Sequence, residues 1–460
     1  MESVSATVHS QELARPLRPA EQIVEFLSVA PAAHRTPCFR QWNQRDWTRT
    51  LRWLDDSGLA FYFLRRAKER DVTGLMPPWV CTRLETNLGF NHQRTEEMWR
   101  RFSVVNERFS AACIPFIVLK GFSLPPDYCG SCALRYQGDL DYLIDKRSLP
   151  QAQKVLTALG YSRKDSRSRQ EVIFLSPKAV APQLDGRQYS PHAPHAVELH
   201  FDMWDAGLYG LCRLPKLFSV GRASMRSLND SVFPVLNDED GFLLQVLHAC
   251  HHLFTHWIRI SSFLEIAYFL ERRADDQTLW YGIEQKVGSG VTLREFVVIV
   301  VEMARRLFAC PVPDLVLSWN RGVRAETRLW LDQYSRQWAF SDVPVHRLGI
   351  FPGSKLVLFL QRQYRTQQGC NPEKRETTKR SWRPFRMVSS VMANPRLLFD
   401  RRWWRKQALI RRTAFHILAG LRYACEIPRW RWRLRKMRAS ARPERETMPP
   451  LQNSTEIESP

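Results

Sequence analysis

The chain has 460 residues, 44% of them hydrophobic and 25% charged, which is enough to bury a sizeable core in two or three domains and excludes disorder of the whole. A net charge of +22 and a pI near 9.9 favour polyanionic partners such as nucleic acid, nucleotides or acidic lipid headgroups. With no apolar run of about eighteen residues and no charged-then-apolar leader, the reading is a cytosolic protein, peripheral to the membrane if its basic end docks on lipid.

From the N-terminus, apolar residues recur at three- and four-residue spacing over 21–29 and 47–66, predicting helices. The clearest stripe is Met98, Phe102, Val105 and Phe109, on a helix that ends near Cys113. Pro115 to Leu119 is a continuous apolar run of strand length leading into Lys120 and Gly121. An irregular stretch with Pro125, Pro126, Gly130 and Gly138 follows, then a second buried strand from Asp139 to Ile144. Ser148 is placed to cap a helix that runs to Leu159 and stops at Gly160. Two further strands are expected over 171–175 and 196–203, and Asn237, with three acidic residues behind it, marks the start of a helical region reaching about Trp338.

The chemistry concentrates between Leu119 and His200. Asp139 and Asp141, two apart on a strand, point to one face with their Cα atoms about 7 Å apart, a pattern that suits divalent metal ions. Metal-assisted phosphoryl transfer uses three carboxylates around two ions about 4 Å apart, so a third must come from a neighbouring strand. In His195 to Phe201, apolar Val197, Leu199 and Phe201 alternate with Glu198 and His200, which makes Glu198 the third carboxylate and His200 a candidate for orienting substrate. A spaced pair of aspartates alone is as readily a solvated strand edge. The Lys-Gly turn and the strand glutamate favour the functional alternative.

Leu119-Lys120-Gly121, Arg135 four residues before the first aspartate, Asp139-Leu140-Asp141, a helix closing on Gly160-Tyr161 and Glu198-Leu199-His200 together resemble the uncharacterised bacterial nucleotidyltransferase family of the DNA polymerase beta-like superfamily. The resemblance spans about residues 20–340 and is specific in the core block. It implies an α+β fold, a polymerase beta-like nucleotidyltransferase core of small mixed sheet and helices, flanked by helical regions. It also implies two Mg²⁺ or Mn²⁺ ions on Asp139, Asp141 and Glu198, and an NTP such as ATP as substrate. Where better-studied members carry Gly-Ser or Gly-Gly, Gly121 is followed by Phe122 and then Ser123. Lys120, Gly121, Ser123 and Arg135 are the expected triphosphate ligands, with the cations as point charge or fork.

The organisation expected is an N-terminal helical region (1–112), the nucleotidyltransferase core (113–232), a helical substrate-side domain (233–345), a basic Trp/Arg-rich helical region (346–442) and a disordered tail (443–460). Between Pro372 and Arg442 stand 21 Lys or Arg against 4 Asp or Glu, so 17 of the 22 net positive charges lie there. Arginines interleaved with Trp403, Trp404, Trp430 and Trp432 offer RNA or an anionic membrane surface as partner, or packing of the tryptophans on the helical domain. A chain ending at Gly369 is expected to keep its fold.

Ten scattered cysteines read as free thiols, Cys129 and Cys132 lacking the second pair a zinc site needs. His248, His252 and His256, at helical spacing without an adjacent general base, read as core or interdomain residues. The function expected is Mg²⁺-dependent transfer of a nucleoside monophosphate from an NTP to a metabolite, saccharide, peptide or RNA acceptor. The alternatives are a weak or inactive transferase acting as an RNA- or membrane-binding adaptor, and a toxin-like enzyme that modifies tRNA.

Overall fold

The computed structural model describes residues 18–30, 36–164, 170–177, 189–204, 211, 213–255, 259–340, 357–364 and 403–440. Seven strands, β1 (Phe116–Leu119), β2 (Asp139–Ile144), β3 (Ser162–Lys164), β4 (Glu171–Leu175), β5 (Ala196–His200), β6 (Ala223–Leu228) and β7 (Ser231–Leu236), form one sheet in the order β3-β4-β5-β2-β1-β7-β6. It is mixed: β2 runs antiparallel to β1 and parallel to β5, while β7 runs parallel to β1. Among the described residues four α-helices precede it: α1 (Pro19–Phe26), α2 (Gln44–Ser57), α3 (Ala60–Glu69) and α4 (Pro78–Ala111). Helix α5 (Leu149–Ala158) links β2 to β3. After β7 come α6 (Asp238–Thr255), α7 (Ser261–Arg273), α8 (Gln277–Val287), α9 (Val291–Phe308), α10 (Asp314–Arg321), α11 (Ala325–Gln333), α12 (Ser335–Ala339), α13 (Val357–Tyr364) and α14 (Trp403–Ser440). The fold is α+β, a small mixed sheet flanked by helices, as expected.

Strand alternation decides which face carries polar groups. Leu140, Tyr142 and Ile144 of β2, with Val197 and Leu199 of β5, pack on the α4 stripe of Met98, Phe102, Val105 and Phe109 and on Ala152 and Leu156 of α5. Each of these side chains is buried, at roughly 1.5–3 kcal/mol apiece for a large apolar group. Asp139, Asp141, Glu198 and His200 therefore project from the opposite face, that of Ile117, Leu119 and Leu143, which belong to the larger core formed with the flanking helices.

Several boundaries follow local chemistry. The stretch read as helical from Trp47 to Arg66 is two helices, because Gly58 adopts φ +76° and a Cβ there would stand 2.6 Å from Ser261 Oγ. Gly160 takes the left-handed position expected (φ +83°), but Ser148 makes no side-chain cap and instead closes a short 3₁₀ turn. Asn237 caps α6 as read, its Oδ1 accepting from Asp240 N at 3.0 Å. The β6–β7 hairpin, absent from the sequence reading, turns on Asn229 and Asp230, both at positive φ, the pair of conformations a two-residue hairpin loop requires.

The basic C-terminal helix is partly structural. Trp430 of α14 is buried in the larger core and stacks on Phe359 of α13 with ring centroids 4.6 Å apart and planes 8° apart. Tyr334 Oη donates to Glu426 Oε2 at 3.2 Å, and Arg438 pairs with Glu326. A fold complete before Gly369 is thus corrected: residues after it supply part of the core. Among the described residues no helix is long and apolar enough to cross a membrane.

Candidate active site

Register brings the carboxylates together. Asp141 of β2 faces Glu198 of β5 across a parallel pair, and Leu143 faces His200. On the other side Asp141 faces Leu119, the last residue of β1, so the chain leaves that strand at Lys120 directly over the acidic face. Lys120 and Gly121 both turn at φ near +50°, a conformation that costs a lysine on the order of 1 kcal/mol or more. The compensating contact is an ion pair, Lys120 Nζ to Asp141 Oδ1 at 2.7 Å, with both side chains nearly buried.

Asp141 is the hub. His200 Nε2 lies 2.9 Å from the same Oδ1 and 3.6 Å from Glu198 Oε2, while His200 Nδ1 lies 3.7 Å from Glu171 Oε2. Burial would raise the Asp141 carboxyl, but the Lys120 charge and the hydrogen bonds from His200 and Lys120 outweigh it and hold it down at about 2. Asp139 and Glu198 go the other way. Burial raises both, and Asp141, with Asp139 in the case of Glu198, raises them further by like-charge repulsion. Lys120, opposed by burial, is still raised by its three acidic neighbours. Like charges forced together over a short distance are what a cation relieves. Ligand atoms of Asp141, Glu198 and His200 lie within 4.8 Å of one another, so a divalent ion with oxygen and imidazole donors fits there.

Polar side chains from distant helices fix the strands at this point. Arg94, in the middle of α4 and buried, donates Nε to Gln137 O ahead of β2 and its terminal nitrogens to Ser190 O, Ala193 O and Pro194 O ahead of β5. Asn91, one turn earlier, donates to Ala133 O and Arg135 O. One helix therefore aligns the entries to both acidic strands.

The other predicted residues are placed as follows. Arg135 is buried with its Nε 3.1 Å from Glu265 Oε1 of α7, and Tyr62 Oη donates to the same oxygen at 3.1 Å. Ser123 Oγ donates to Lys120 O at 2.9 Å, closing the turn on itself. A Cβ at Gly121 would stand 2.3 Å from Gln137 Nε2, so the space the glycine leaves is filled by Gln137. From α6, His248 and His252 approach at Nε2 to Nε2 2.9 Å. Both are held neutral by burial first, and Lys120 acts on these two and on His251. Arg259 donates Nη2 to Tyr136 O at 2.8 Å. The i, i+4 histidines were visible in sequence; Arg259 and Glu265 carried no local signal.

A family model described as an uncharacterised nucleotidyltransferase matches residues 43–309, which takes in α2, the whole sheet and the helices through α9. The chain belongs to this nucleotidyltransferase family. No curated protein and no solved structure matches it. Membership makes the nucleotidyltransferase a transferase with a nucleotide substrate, and the match lies within the span of the resemblance read from the motifs.

Proposed function

We propose that the protein moves a nucleoside monophosphate from an NTP, ATP among them, to an acceptor hydroxyl or phosphate. The acceptor oxygen forms a bond to the α-phosphorus as the bond to the bridging oxygen breaks, and pyrophosphate leaves. The observation that carries this reading is the pairing of Asp141 with Glu198 across β2 and β5, beneath Lys120. Asp141 and Glu198, which stand within reach of one ion, with Asp139 on the same strand face, would hold Mg²⁺ or Mn²⁺, which when bound lowers the pKa of the attacking group and neutralises phosphate charge.

The chain's own residues divide the remaining work. Glu198, whose carboxyl is raised, takes the acceptor proton. Lys120, Gly121 and Ser123 lie on the triphosphate side, and Arg135 contributes a charge fixed in place by Glu265 rather than a free fork. His200 orients Asp141 and, through it, the substrate. The helices from α6 onward shape the acceptor side, where a metabolite, saccharide, peptide or RNA end would enter.

The test is incubation of the purified protein with α-labelled NTPs and Mg²⁺ in the presence of cell extract, following label into the acceptor and release of pyrophosphate. Label incorporated by the parent protein and not by Glu198→Gln supports the reading. Equal incorporation by both removes Glu198 from the chemistry.

A further inference from the structure

Helix α14 has two unlike faces. Tyr423, Ile427, Trp430, Leu434 and Met437 pack on the larger core. On the other side Ile417, Leu418, Leu421 and Trp432 stand in solvent, 57%, 65%, 58% and 63% exposed. At 100° per residue Ile417, Leu421, Pro428 and Trp432 fall in one strip about 60° wide, opposite Trp430, with Leu418 at its margin. From Ile417 to Trp432 the strip runs about 22 Å along the helix. Exposed cations border it, Arg431 on one side and Arg429 and Lys436 on the other, and Arg435 closes it in line just past Trp432. The helix as a whole carries eleven Lys or Arg against the single carboxylate of Glu426.

We infer that this outer face is a docking surface for an anionic lipid bilayer, with α14 lying flat in the headgroup layer. Its inner face is already committed to the core, so the helix presents the apolar strip outward without unfolding. An apolar strip between cationic borders matches an interface that is apolar inward and negatively charged at its surface, and the long arginine and lysine stems reach back toward phosphate. Nucleic acid would use the arginines but has no use for Ile417, Leu418 and Leu421, since bases stack on aromatic rings. None of these residues belongs to the carboxylate site, so lipid binding would hold whether or not that site transfers nucleotide.

The experiment is co-sedimentation of the full-length protein with phosphatidylcholine vesicles, with and without phosphatidylglycerol, set beside binding to a single-stranded oligouridylate. The parent protein should sediment with the anionic vesicles and stay in solution with the neutral ones. Replacing Leu418, Leu421 and Trp432 together by Ser should weaken vesicle binding by about a hundredfold or more without lowering the melting temperature. Arg431→Gln with Arg435→Gln and Lys436→Gln should weaken it on the order of a hundredfold. Failure of the parent protein to sediment, sedimentation equal on neutral vesicles, binding of the RNA alone, or full retention by the Ser variant would each overturn the inference. Should the Ser variant fail to fold, the vesicle comparison of the parent protein decides.

Discussion

Lys120 Nζ and His200 Nε2 converge on one oxygen, Asp141 Oδ1, at 2.7 and 2.9 Å. Asp139, two residues away on the same face, has burial and a neighbouring like charge against it instead. The two aspartates thus share a strand face and carry opposite structural loads. Asp139→Asn and Asp141→Asn should both abolish transfer from an α-labelled NTP. Only Asp141→Asn should also lower stability, by about 2 kcal/mol, because it strips the partner from a buried ammonium that keeps Asp139 and Glu198 nearby. Paired activity assays and thermal melts check this; transfer by either variant removes that aspartate from the mechanism.

Arg135 and Glu265 tie the loop before β2 to α7 through a buried ion pair, with Tyr62 completing it. Arg135→Met should cost on the order of 3 kcal/mol, since it leaves the Glu265 charge buried and unanswered. Arg135→Met combined with Glu265→Met should cost clearly less than the sum of the single changes. Urea denaturation of the three variants measures the coupling, and simple additivity would show that the pair does not act as a unit.

Four histidines are held neutral in the fold. Burial, with nearby cations, lowers His195 and His251 to about 4, and His248 and His252 fall well below the ordinary value. Unfolded, each takes a proton near pH 6.5; folded, it does not until a lower pH. The unfolded chain therefore binds more protons between pH 6.5 and about 4, so stability that is fully present above 6.5 is lost as pH falls through that window. Melting temperature should decline from pH 7 to 4.5, and His195→Asn should flatten part of the decline. A flat profile in the parent protein would refute the assignment.

Trp430 and Trp432 are neighbours in sequence with opposite fates, one buried on Phe359 and one 63% exposed. Trp430→Ala should cost about 3 kcal/mol or more, as a large aromatic removed from a core does, whereas Trp432→Ala should change stability by less than about 0.5 kcal/mol. Differential scanning calorimetry on both separates them. Equal melting temperatures would mean that α14 does not stabilise the core.

The acidic face was legible because its information is local: alternation in β2 and β5 places Asp139, Asp141, Glu198 and His200 on one side whatever the rest of the chain does. What holds those strands is only partly visible in the sequence. Val80, Leu84, Asn87, Asn91, Arg94 and Met98 follow one another at helical spacing, so the polar residues occupy inward positions of α4. Their carbonyl partners near residues 133–137 and 190–194 depend on tertiary structure and have no sequence signal. The partner of Arg135 was hidden for the same reason, since Glu265 is 130 residues away. Strand β6, short, exposed and polar, lacked the apolar alternation that marks a buried strand, and only the Asn229-Asp230 turn could have shown it.

The burial of Trp430 has a consequence for synthesis. A ribosome releases α14 after the sheet, the carboxylates and the long series of helices have already emerged, so for that interval Phe359 and Tyr334 lack the ring that covers them. A chain halted by a premature stop after residue 369 would carry the whole family-matched segment and yet keep that apolar surface open to chaperones and proteases. Quality control would then act on the absence of α14, and messages cut short there would yield little lasting protein.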